Sequence, residues 1–290
     1  MLIYCLKRTG LALLVIFAVS LVGFLLLRLA GDPAIAMAGE ASTEADILEI
    51  REQYGLDRPI LIQYFDWIAG AIGGDFGRSL YFQLPVSELI ANRLPTTLLL
   101  AAFSILFALS LAIPLGVIAA LKQNSLIDRM ALLVAVTGQA IPNFWLGLLL
   151  IWLLSVNLSL LPPSGSTEWV NFIMPTIVLG THILPGLMRL TRSGMLDVLS
   201  SDYIRTARMK GLRQHTVITR HALRNALVPL VALAAVQFGF LLGGSVVVES
   251  LFALQGLGYL AWQSISRGDV PTVQAILLIY AALYTVLTLF

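Results

Sequence analysis

The chain has 290 residues, of which 58% are hydrophobic and 12% charged, with a formal net charge of +2 and a mean hydropathy of +0.89. A soluble domain is roughly a quarter charged, so this composition excludes an ordinary soluble protein and indicates an integral membrane protein. The single cysteine, Cys5, excludes an intramolecular disulfide and a cysteine-rich metal site, so redox chemistry is not expected.

Six stretches lack Asp, Glu, Lys and Arg and are long enough to cross roughly 30 Å of hydrocarbon as helices, which takes about 20 residues each. Lipid offers no partner for backbone polar groups, so we predict an all-α membrane protein with six transmembrane helices. The predicted spans are residues 10–29, 95–121, 130–156, 170–188, 225–248 and 270–290, the first of which extends past its charge-free stretch to include Arg28. The amino-terminal segment is 1–9, and the connecting segments are 30–94, 122–129, 157–169, 189–224 and 249–269.

The first span has some features of a cleaved signal peptide, because Lys7 and Arg8 precede the apolar run and the small-residue sequence AIAMA follows at 34–38. The run is longer than the apolar core of a signal peptide, which has about 7 to 15 residues. The chain behind it is also multispanning. We therefore expect an uncleaved membrane anchor.

The basic residues predict the orientation. With a cytoplasmic amino terminus, the inner side holds 12 of the 18 Lys and Arg residues and 3 acidic residues, a net +9. The outer side then holds 6 basic and 13 acidic residues, a net −7. The positive-inside rule favours this arrangement, so both termini are predicted to be cytoplasmic. A basic inner face also suits anionic membrane lipid.

The outer segment 30–94 is predicted to contain two short amphipathic helices. Thr43 to Asp46 resembles a capping box without its Glu, and Ile47, Ile50 and Tyr54 then recur at helical spacing as far as Gly55. A second apolar stripe, stopped by Gly73 and Gly74, consists of Leu61, Tyr64, Phe65, Ile68 and Ile72. These apolar faces either lie on the membrane or pack on the spans; alternatively, the acidic segment receives an external partner or screens a pathway.

Polar side chains are rare within the spans. His182, between Pro175 and Pro185, and Gln237 are expected to face the protein interior, where they serve interhelical hydrogen bonding or, as the second possibility, line a transport path. Prolines that remove an amide donor predict bends within several spans, namely at Pro114, Pro142, Pro175, Pro185 and Pro229.

Several common nucleotide-binding, metal-binding and catalytic motifs are missing from the sequence. It contains no G-x-x-x-x-G-K-[ST] phosphate loop, no H-E-x-x-H pair and no G-x-S-x-G turn. His182, His215 and His221 are too scattered to suggest a metal site. We therefore expect no catalytic residues, no metal and no cofactor in this chain, and an energy source that is either an ion gradient or another subunit.

The basic segment from Ser200 to Pro229 is too charged to cross a membrane. Ser200 or Ser201 is placed to cap a helix that begins near Asp202, and Gly211 is placed to end it in a left-handed conformation. A second helix is predicted from about Thr216 into the fifth span. A short helix held between two spans suits mechanical coupling to a soluble partner, although an ordinary basic loop explains the composition as well.

The residues of this segment resemble a known family. Y-I-R-T-A-R-M-K-G-L (203–212) and R-H-A-L-R-N-A-L-V-P (220–229) resemble the cytoplasmic signature of inner-membrane permeases of binding-protein-dependent ABC importers, most closely the dipeptide, oligopeptide and nickel branch. Further matches in the same order are Y-G-L-D-R-P (54–59), G-D-F-G-R-S-L (74–80), R-L-P-T-T-L-L-L (93–100), I-P-N-F-W-L-G (141–147), T-R-S-G-M-L (191–196) and V-V-V-E-S-L-F (246–252) with G-L-G (256–258).

The resemblance implies the transmembrane architecture of a type I ABC importer in the cytoplasmic membrane. It also implies two ATPase subunits that hold ATP and Mg, an external solute-binding protein, and a second, nonidentical permease subunit; nucleic acid is not an expected partner. Peptides are the expected substrate, with nickel or glutathione as alternatives. The coupling helix that docks on the ATPase is then formed by Asp202, Arg205, Thr206, Ala207, Arg208, Lys210, Gly211 and Leu212.

The chain departs from the family at a few positions. Arg205, Thr206 and Ala207 stand where the broader family has Glu-Ala-Ala, and Leu254 and Gln255 replace a frequent aromatic-proline pair. The family implies a cytoplasmic tail, whereas this sequence stops at Phe290, as a truncated product would. Two other classes compete: a gradient-driven secondary transporter, disfavoured because the spans lack a carboxylate away from their ends, and a membrane-embedded enzyme.

Overall fold

The computed structural model describes residues 2–38, 42–53 and 55–289, and within these ranges the regular secondary structure is helical, apart from an isolated bridge between Arg78 and Pro85. This confirms the predicted all-α class. The chain divides into two compact units. The first contains residues 1–97 and 255–290, and the second contains residues 98–254.

The helices are numbered in chain order. The helices of the first unit are α1 Leu2–Ala30, α2 Pro33–Ala38, α3 Glu44–Gln53 and α4 Ile60–Ile72. α5, Val86–Leu121, begins in the first unit and continues into the second. The second unit continues with α6 Leu126–Ala140, α7 Asn143–Leu150, α8 Ile173–Leu199, α9 Asp202–Met209, α10 Gln214–Thr216, α11 Arg224–Ala226, α12 Val228–Gly244 and α13 Val246–Leu251. The first unit is completed by α14 Leu257–Ser266 and α15 Val270–Leu289. Ile151–Asn157 and Val217–Leu223 are π-helical, and Trp169–Phe172 is a 3₁₀ turn.

Four helices are long and apolar enough to cross a membrane, and they cover Leu6–Leu29, Val86–Leu121, Trp169–Leu199 and Val270–Thr288. Two bent pairs bring the number to six if each pair forms one span. These are Leu126–Ala140 with Asn143–Asn157, bent by 97°, and Gln214–Ala226 with Val228–Gly244, bent by 51°. On that condition the third predicted span is a broken helix, and the bend near Leu227 falls at the start of the fifth, while the boundaries relative to the bilayer stay a prediction.

Only some of the prolines break their helices. Pro142 stands at the cap position of α7, and Pro229 lies in the first turn of α12, so each occupies a position where a missing amide donor costs little. Pro114 and Pro185, by contrast, lie inside α5 and α8, which continue through them. The predicted bends are therefore correct at the two helix junctions, and the remaining prolines are accommodated within helices.

In the first unit, α4 packs against α1 at the depth of a membrane span. Tyr64 of α4 is 1% exposed and its hydroxyl shares a 2.7 Å hydrogen bond with Ser20, which is 3% exposed and lies within the span Leu6–Leu29. Phe17 and Phe24 meet the Tyr64 ring edge-on. Of the predicted apolar stripe of α4, Tyr64 therefore packs on a span, whereas Leu61, Phe65 and Ile72 stay exposed.

The predicted cap of α3 forms with aspartate in place of glutamate. Asp46 Oδ2 accepts from the Thr43 backbone N–H and from its hydroxyl, both at 2.8 Å, while the Asp46 N–H donates to Thr43 Oγ1 at 3.4 Å. The Thr43 backbone hydrogen bond, followed by that of its hydroxyl, lowers the pKa of Asp46. The cap therefore contributes stability above the ordinary carboxyl pKa and loses it as the pH falls through the lowered value. Tyr54, predicted to extend this helix, lies outside the described residues.

The second unit is organised around α8, whose buried side chains run along most of its length. Small residues allow close approach of other helices. A Cβ added at Gly116 of α5 would lie 2.7 Å from Thr191 Cβ and 2.9 Å from the Met188 carbonyl oxygen. At Gly180 of α8 it would lie 2.5 Å from Phe107. Glycine is common at helix contacts in membrane proteins, because a larger residue at these positions would keep the two helices apart.

Two of the family-like motifs have structural roles. In G-D-F-G-R-S-L, Ser79 donates to Asp269 Oδ2 at 2.5 Å, and the Leu80 N–H donates to Oδ1 at 3.0 Å. Asp269 is fully buried and also accepts from Thr272 at 2.7 Å, so this carboxylate ties the loop to the start of α15. In I-P-N-F-W-L-G, Gly147 packs so closely on V-V-V-E-S-L-F that an added Cβ would lie 2.4 Å from Leu251.

Candidate functional site

The predicted short basic helix is present as α9, and both of its predicted ends are confirmed. Ser201 occupies the cap position in an extended conformation, and Asp202 starts the first turn. Gly211 has a φ of +73°, the left-handed conformation that ends a helix with little strain when the residue is glycine. The expected side-chain cap is wrong, because Ser201 Oγ donates to the Val198 carbonyl at 2.6 Å and makes no cap hydrogen bond.

One face of α9 anchors it to the second unit. Ile204 is fully buried and Ala207 is 7% exposed, and both belong to a cluster that we call the anchor cluster. Its other buried members come from α5, α8, the π-helical turn and α11: Ala120, Met195, Val217, Ala222 and Ala226. Because buried cores are close-packed, a displacement of α9 is transmitted to these elements.

The opposite face of α9 is exposed. Of the eight predicted coupling residues, seven are on the surface: Asp202, Arg205, Thr206, Arg208, Lys210, Gly211 and Leu212. Ala207 is the exception, because it packs inward. Sequence reasoning omitted two exposed apolar neighbours, Tyr203 at 44% and Met209 at 74%, which the helical spacing could have indicated. The surface therefore combines basic groups with apolar side chains, a combination suited to docking a protein partner.

The second helix predicted for the basic segment, expected from about Thr216, begins two residues earlier. α10 starts at Gln214, passes into the π-helical turn Val217–Leu223 and ends as α11 before the bend at Leu227. Asn225 Nδ2 donates to the Tyr203 hydroxyl at 2.8 Å and links this helix to α9. π-Helical turns are uncommon and often lie at functional positions.

A buried ion pair next to the anchor cluster was not anticipated from the sequence. Arg192 of α8 donates from Nε and Nη2 to the two carboxylate oxygens of Asp128, both at 2.7 Å. The Asp128 side chain is 4% exposed and the Arg192 side chain 22%. Asp128 also accepts from the Asn124 N–H at 3.0 Å, so the pair joins the α5–α6 turn to α8. No local signal marks it, since the partners are 64 residues apart.

The two polar residues of the spans lie at one helix interface. His182 of α8 stacks on the Phe240 ring of α12, with centroids 6.4 Å apart and an interplanar angle of 15°. Gln237 Nε2 lies 3.8 Å from the position that a Cβ on Gly186 would take. Both side chains are half-buried, and His182 Nδ1 is buried without a hydrogen-bond partner. The contact made by the His182 ring is thus stacking, and the expected interhelical hydrogen bond is missing at Nδ1.

Within the described ranges, no three His, Cys, Asp or Glu side chains are grouped so that they could hold a metal ion. The features that remain are apolar helices of membrane-spanning length and a basic helix anchored on one face and exposed on the other. They define a multispanning membrane protein whose exposed basic helix suits a soluble partner.

Comparison with known proteins gives the family. Residues 112–290 match the binding-protein-dependent transport system inner membrane component, and residues 1–101 match the amino-terminal region of such membrane components. The chain belongs to this family: it is an inner-membrane permease subunit of a binding-protein-dependent ABC importer, a transport component that works with ATPase and solute-binding proteins.

Relatives cover the whole chain. It is 40% identical over 291 residues to the glutathione transport system permease protein GsiC of Escherichia coli strain K12, covering 100% of this chain and 95% of the relative. Identity to GsiC of Salmonella typhimurium is 41% over 290 residues, with the same coverage.

Solved structures show the fold. Two crystal forms of the MetNI methionine ABC transporter in inward-facing conformations match with TM-scores of 0.53 and 0.54 at 19% and 18% identity. The matches cover 67% of this chain in both cases and 91% and 89% of the MetNI chains. The type I ABC importer architecture implied by the sequence motifs is confirmed.

Proposed function

We propose that this permease imports small peptides and that α9 is the element through which ATP hydrolysis on partner subunits drives it. The single observation that carries the coupling part is the two-faced α9, buried at Ile204 and Ala207 and exposed along its basic and apolar surface. The substrate part is supported by the relatives named for glutathione transport. Glutathione is a tripeptide, so dipeptides, oligopeptides and glutathione form one chemical class.

The packing around α9 supports a mechanical route. An ATPase that docks on Arg205, Met209 and Leu212 would push α9, whose inner face contacts a cluster containing Met195 of α8 and Ala226 of α11. A packed cluster moves as a unit, so closure of the ATPases shifts the helices that enclose the path, and hydrolysis with product release returns them. The two states must engage α9 differently for this coupling to operate.

The partners follow from the same proposal. Two ATPase subunits hold ATP and Mg on the side of α9, and this chain holds no cofactor. A second, nonidentical permease subunit completes the pathway, and a solute-binding protein delivers the peptide on the opposite side. Both termini then lie in the cytoplasm, as the excess of basic residues on that side supports.

Reconstitution tests this function directly. We expect the complex purified through this chain to contain ATPase subunits and, in proteoliposomes with the binding protein, to take up labelled glutathione or a dipeptide only when ATP and Mg are present on the ATPase side. Uptake driven by a proton gradient without ATP would contradict the proposal. Retention of a nickel chelate in place of peptides by the binding protein would overturn the substrate class while leaving the coupling assignment intact.

We also assign His182 and Gln237 to the substrate path. Their support is a shared, half-buried position between α8 and α12 and the unpartnered Nδ1 of His182. Gln237→Leu is expected to raise the KM of ATP-driven peptide uptake severalfold with little change in basal ATPase activity, because a hydrogen-bonding group is lost while side-chain volume is kept. Thr137→Val, at an exposed position of α6, serves as the control. An unchanged KM would remove Gln237 from the path.

A further inference from the structure

The first unit contains a large polar cleft where α1 reaches the end of its membrane span. The cleft has a volume of about 1170 Å³ and is walled by the end of α1, the α3–α4 region, the loop 75–85 and the start of α15. Its basic lining groups are Arg28, Arg58 and Arg78. Arg28 belongs to the last turn of α1 and stands beside the end of the span Leu6–Leu29, so this part of the cleft lies at headgroup depth.

Hydrogen-bond donors without acceptors are concentrated along this cleft. Three lining residues carry a buried N–H group that has no acceptor, Arg28 Nε, Trp67 Nε1 and Gln274 Nε2, and one lining acceptor, Gln63 Oε1, has no donor. Gln274 is only 7% exposed. Buried donors normally find acceptors in native proteins, so a wall with three unmatched donors, one of them on an arginine, suits a ligand with anionic oxygens. These atoms are covered by neighbouring side chains, so contact with a ligand requires a rotation that exposes them.

Apart from Glu52, which is exposed at the rim, the other charges of the cleft are already engaged. Arg58 pairs with Asp66 at 3.3 Å, and Arg78 donates to the Gln83 carbonyl at 2.6 Å. Asp75 accepts from the Gly77 N–H at 2.9 Å. Asp32, the acid next to Arg28 in the chain, forms an ion pair with Arg51. The Arg28 guanidinium instead lies over the Phe24 ring, 5.1 Å from its centroid.

An apolar surface adjoins the cleft on α4. Asp66 and Trp67 of α4 line the cleft, while Leu61, Phe65 and Ile72 of the same helix are 61%, 56% and 84% exposed. Since α4 packs beside the predicted span of α1 through Tyr64 and Ser20, these exposed side chains are available to acyl chains. A ligand that fits both surfaces carries an anionic oxygen group at one end and hydrocarbon at the other.

We propose that this cleft is a phospholipid site, in which Arg28 binds the headgroup phosphate, Trp67 and Gln274 donate to its oxygens, and the acyl chains cover the exposed face of α4. Arginine suits a phosphate because its planar fork donates two parallel hydrogen bonds. The site requires only that α1 and α4 reside in a membrane, and it is independent of the substrate and coupling proposals.

Native mass spectrometry of the full complex in detergent tests the site. The probes are phosphatidylglycerol, a diacylglycerol with the same chains, and glycerol 3-phosphate. We expect phosphatidylglycerol to bind, and we expect neither diacylglycerol nor glycerol 3-phosphate to displace it. Arg28→Gln should weaken lipid binding about tenfold, the loss typical of one charge-assisted hydrogen bond, and Arg28→Lys by less. The control is Arg267→Gln, because Arg267 stacks on Tyr81 and does not line the cleft.

The outcomes separate the alternatives. Equal lipid binding by Arg28→Gln and Arg267→Gln would overturn the proposal, as would displacement of the lipid by diacylglycerol. Displacement by glycerol 3-phosphate would show a soluble-anion site and overturn the lipid assignment. If Arg28→Gln fails to assemble, Trp67→Phe decides the question, because it removes one N–H and keeps the aromatic contacts with Phe24 and Tyr64. Unchanged binding in that variant would then count against the site.

Discussion

Asp128→Asn is expected to lower the free energy of unfolding by about 3 kcal/mol, because it leaves Arg192 without its carboxylate in a largely buried position. Asparagine keeps the shape of the side chain, so the effect reports the lost charge. The measurement is the midpoint of thermal unfolding of the complex in detergent. The control is Asp202→Asn, which removes an exposed pair with Arg205 and is expected to change the midpoint little.

The same pair is expected to matter for coupling. The double substitution Asp128→Leu with Arg192→Met removes both charges and should recover much of the lost stability, as replacement of buried pairs by apolar residues often does. If the pair holds the α5–α6 turn to α8 while α9 is pushed, the double variant will hydrolyse ATP normally and import less peptide per ATP. A recovered stability together with a normal ratio of uptake to hydrolysis would limit the pair to a structural role.

The parts of the molecule that sequence predicted well are those set by neighbouring residues. α9 begins at Asp202 and ends before Gly211 because a charge that suits the helix dipole and a residue free to adopt a positive φ stand at its two ends. The cap at Thr43 also depends on residues three positions apart. Such features need no knowledge of the rest of the fold.

The parts that sequence missed depend on residues distant in the chain. Asp128 and Arg192 are 64 positions apart, and each is unremarkable until α6 and α8 are placed together. Prolines show the same limit: Pro142 stands at a helix junction and Pro185 inside a helix, although both follow apolar residues. The difference lies in whether the surrounding helices hold the segment in a continuous helix despite one lost hydrogen bond.

The docking surface of α9 illustrates an intermediate case. Helical spacing places Ile204 and Ala207 on one side, so the inward position of Ala207 follows from the period of the helix once the buried side is known. A family motif treats Ala207 and its exposed neighbours alike. The structure separates them into one residue that anchors the helix and seven that lie on its surface.

That separation gives the second prediction. Ala207→Leu is expected to reduce ATP-driven peptide uptake by tenfold or more while ATPase subunits still copurify, since the added side chain overpacks the anchor cluster, at a cost of about 1–3 kcal/mol, and shifts α9 from α8 and α11. Thr219→Leu is the control, because it adds an apolar side chain at an exposed position outside α9 and outside the predicted coupling residues. Uptake and hydrolysis are measured on the same proteoliposomes.

The surface variants should behave in the opposite way. Arg205→Gln combined with Lys210→Gln leaves the anchor cluster intact, so it is expected to weaken ATPase association, and more so as salt screens the remaining charges. The surface variant therefore tests attachment of the ATPase, and Ala207→Leu tests transmission of its motion to the permease. If Ala207→Leu instead releases the ATPase while the charge variant retains it at all salt concentrations, the outer face of α9 is not the docking surface, and force must enter the permease elsewhere.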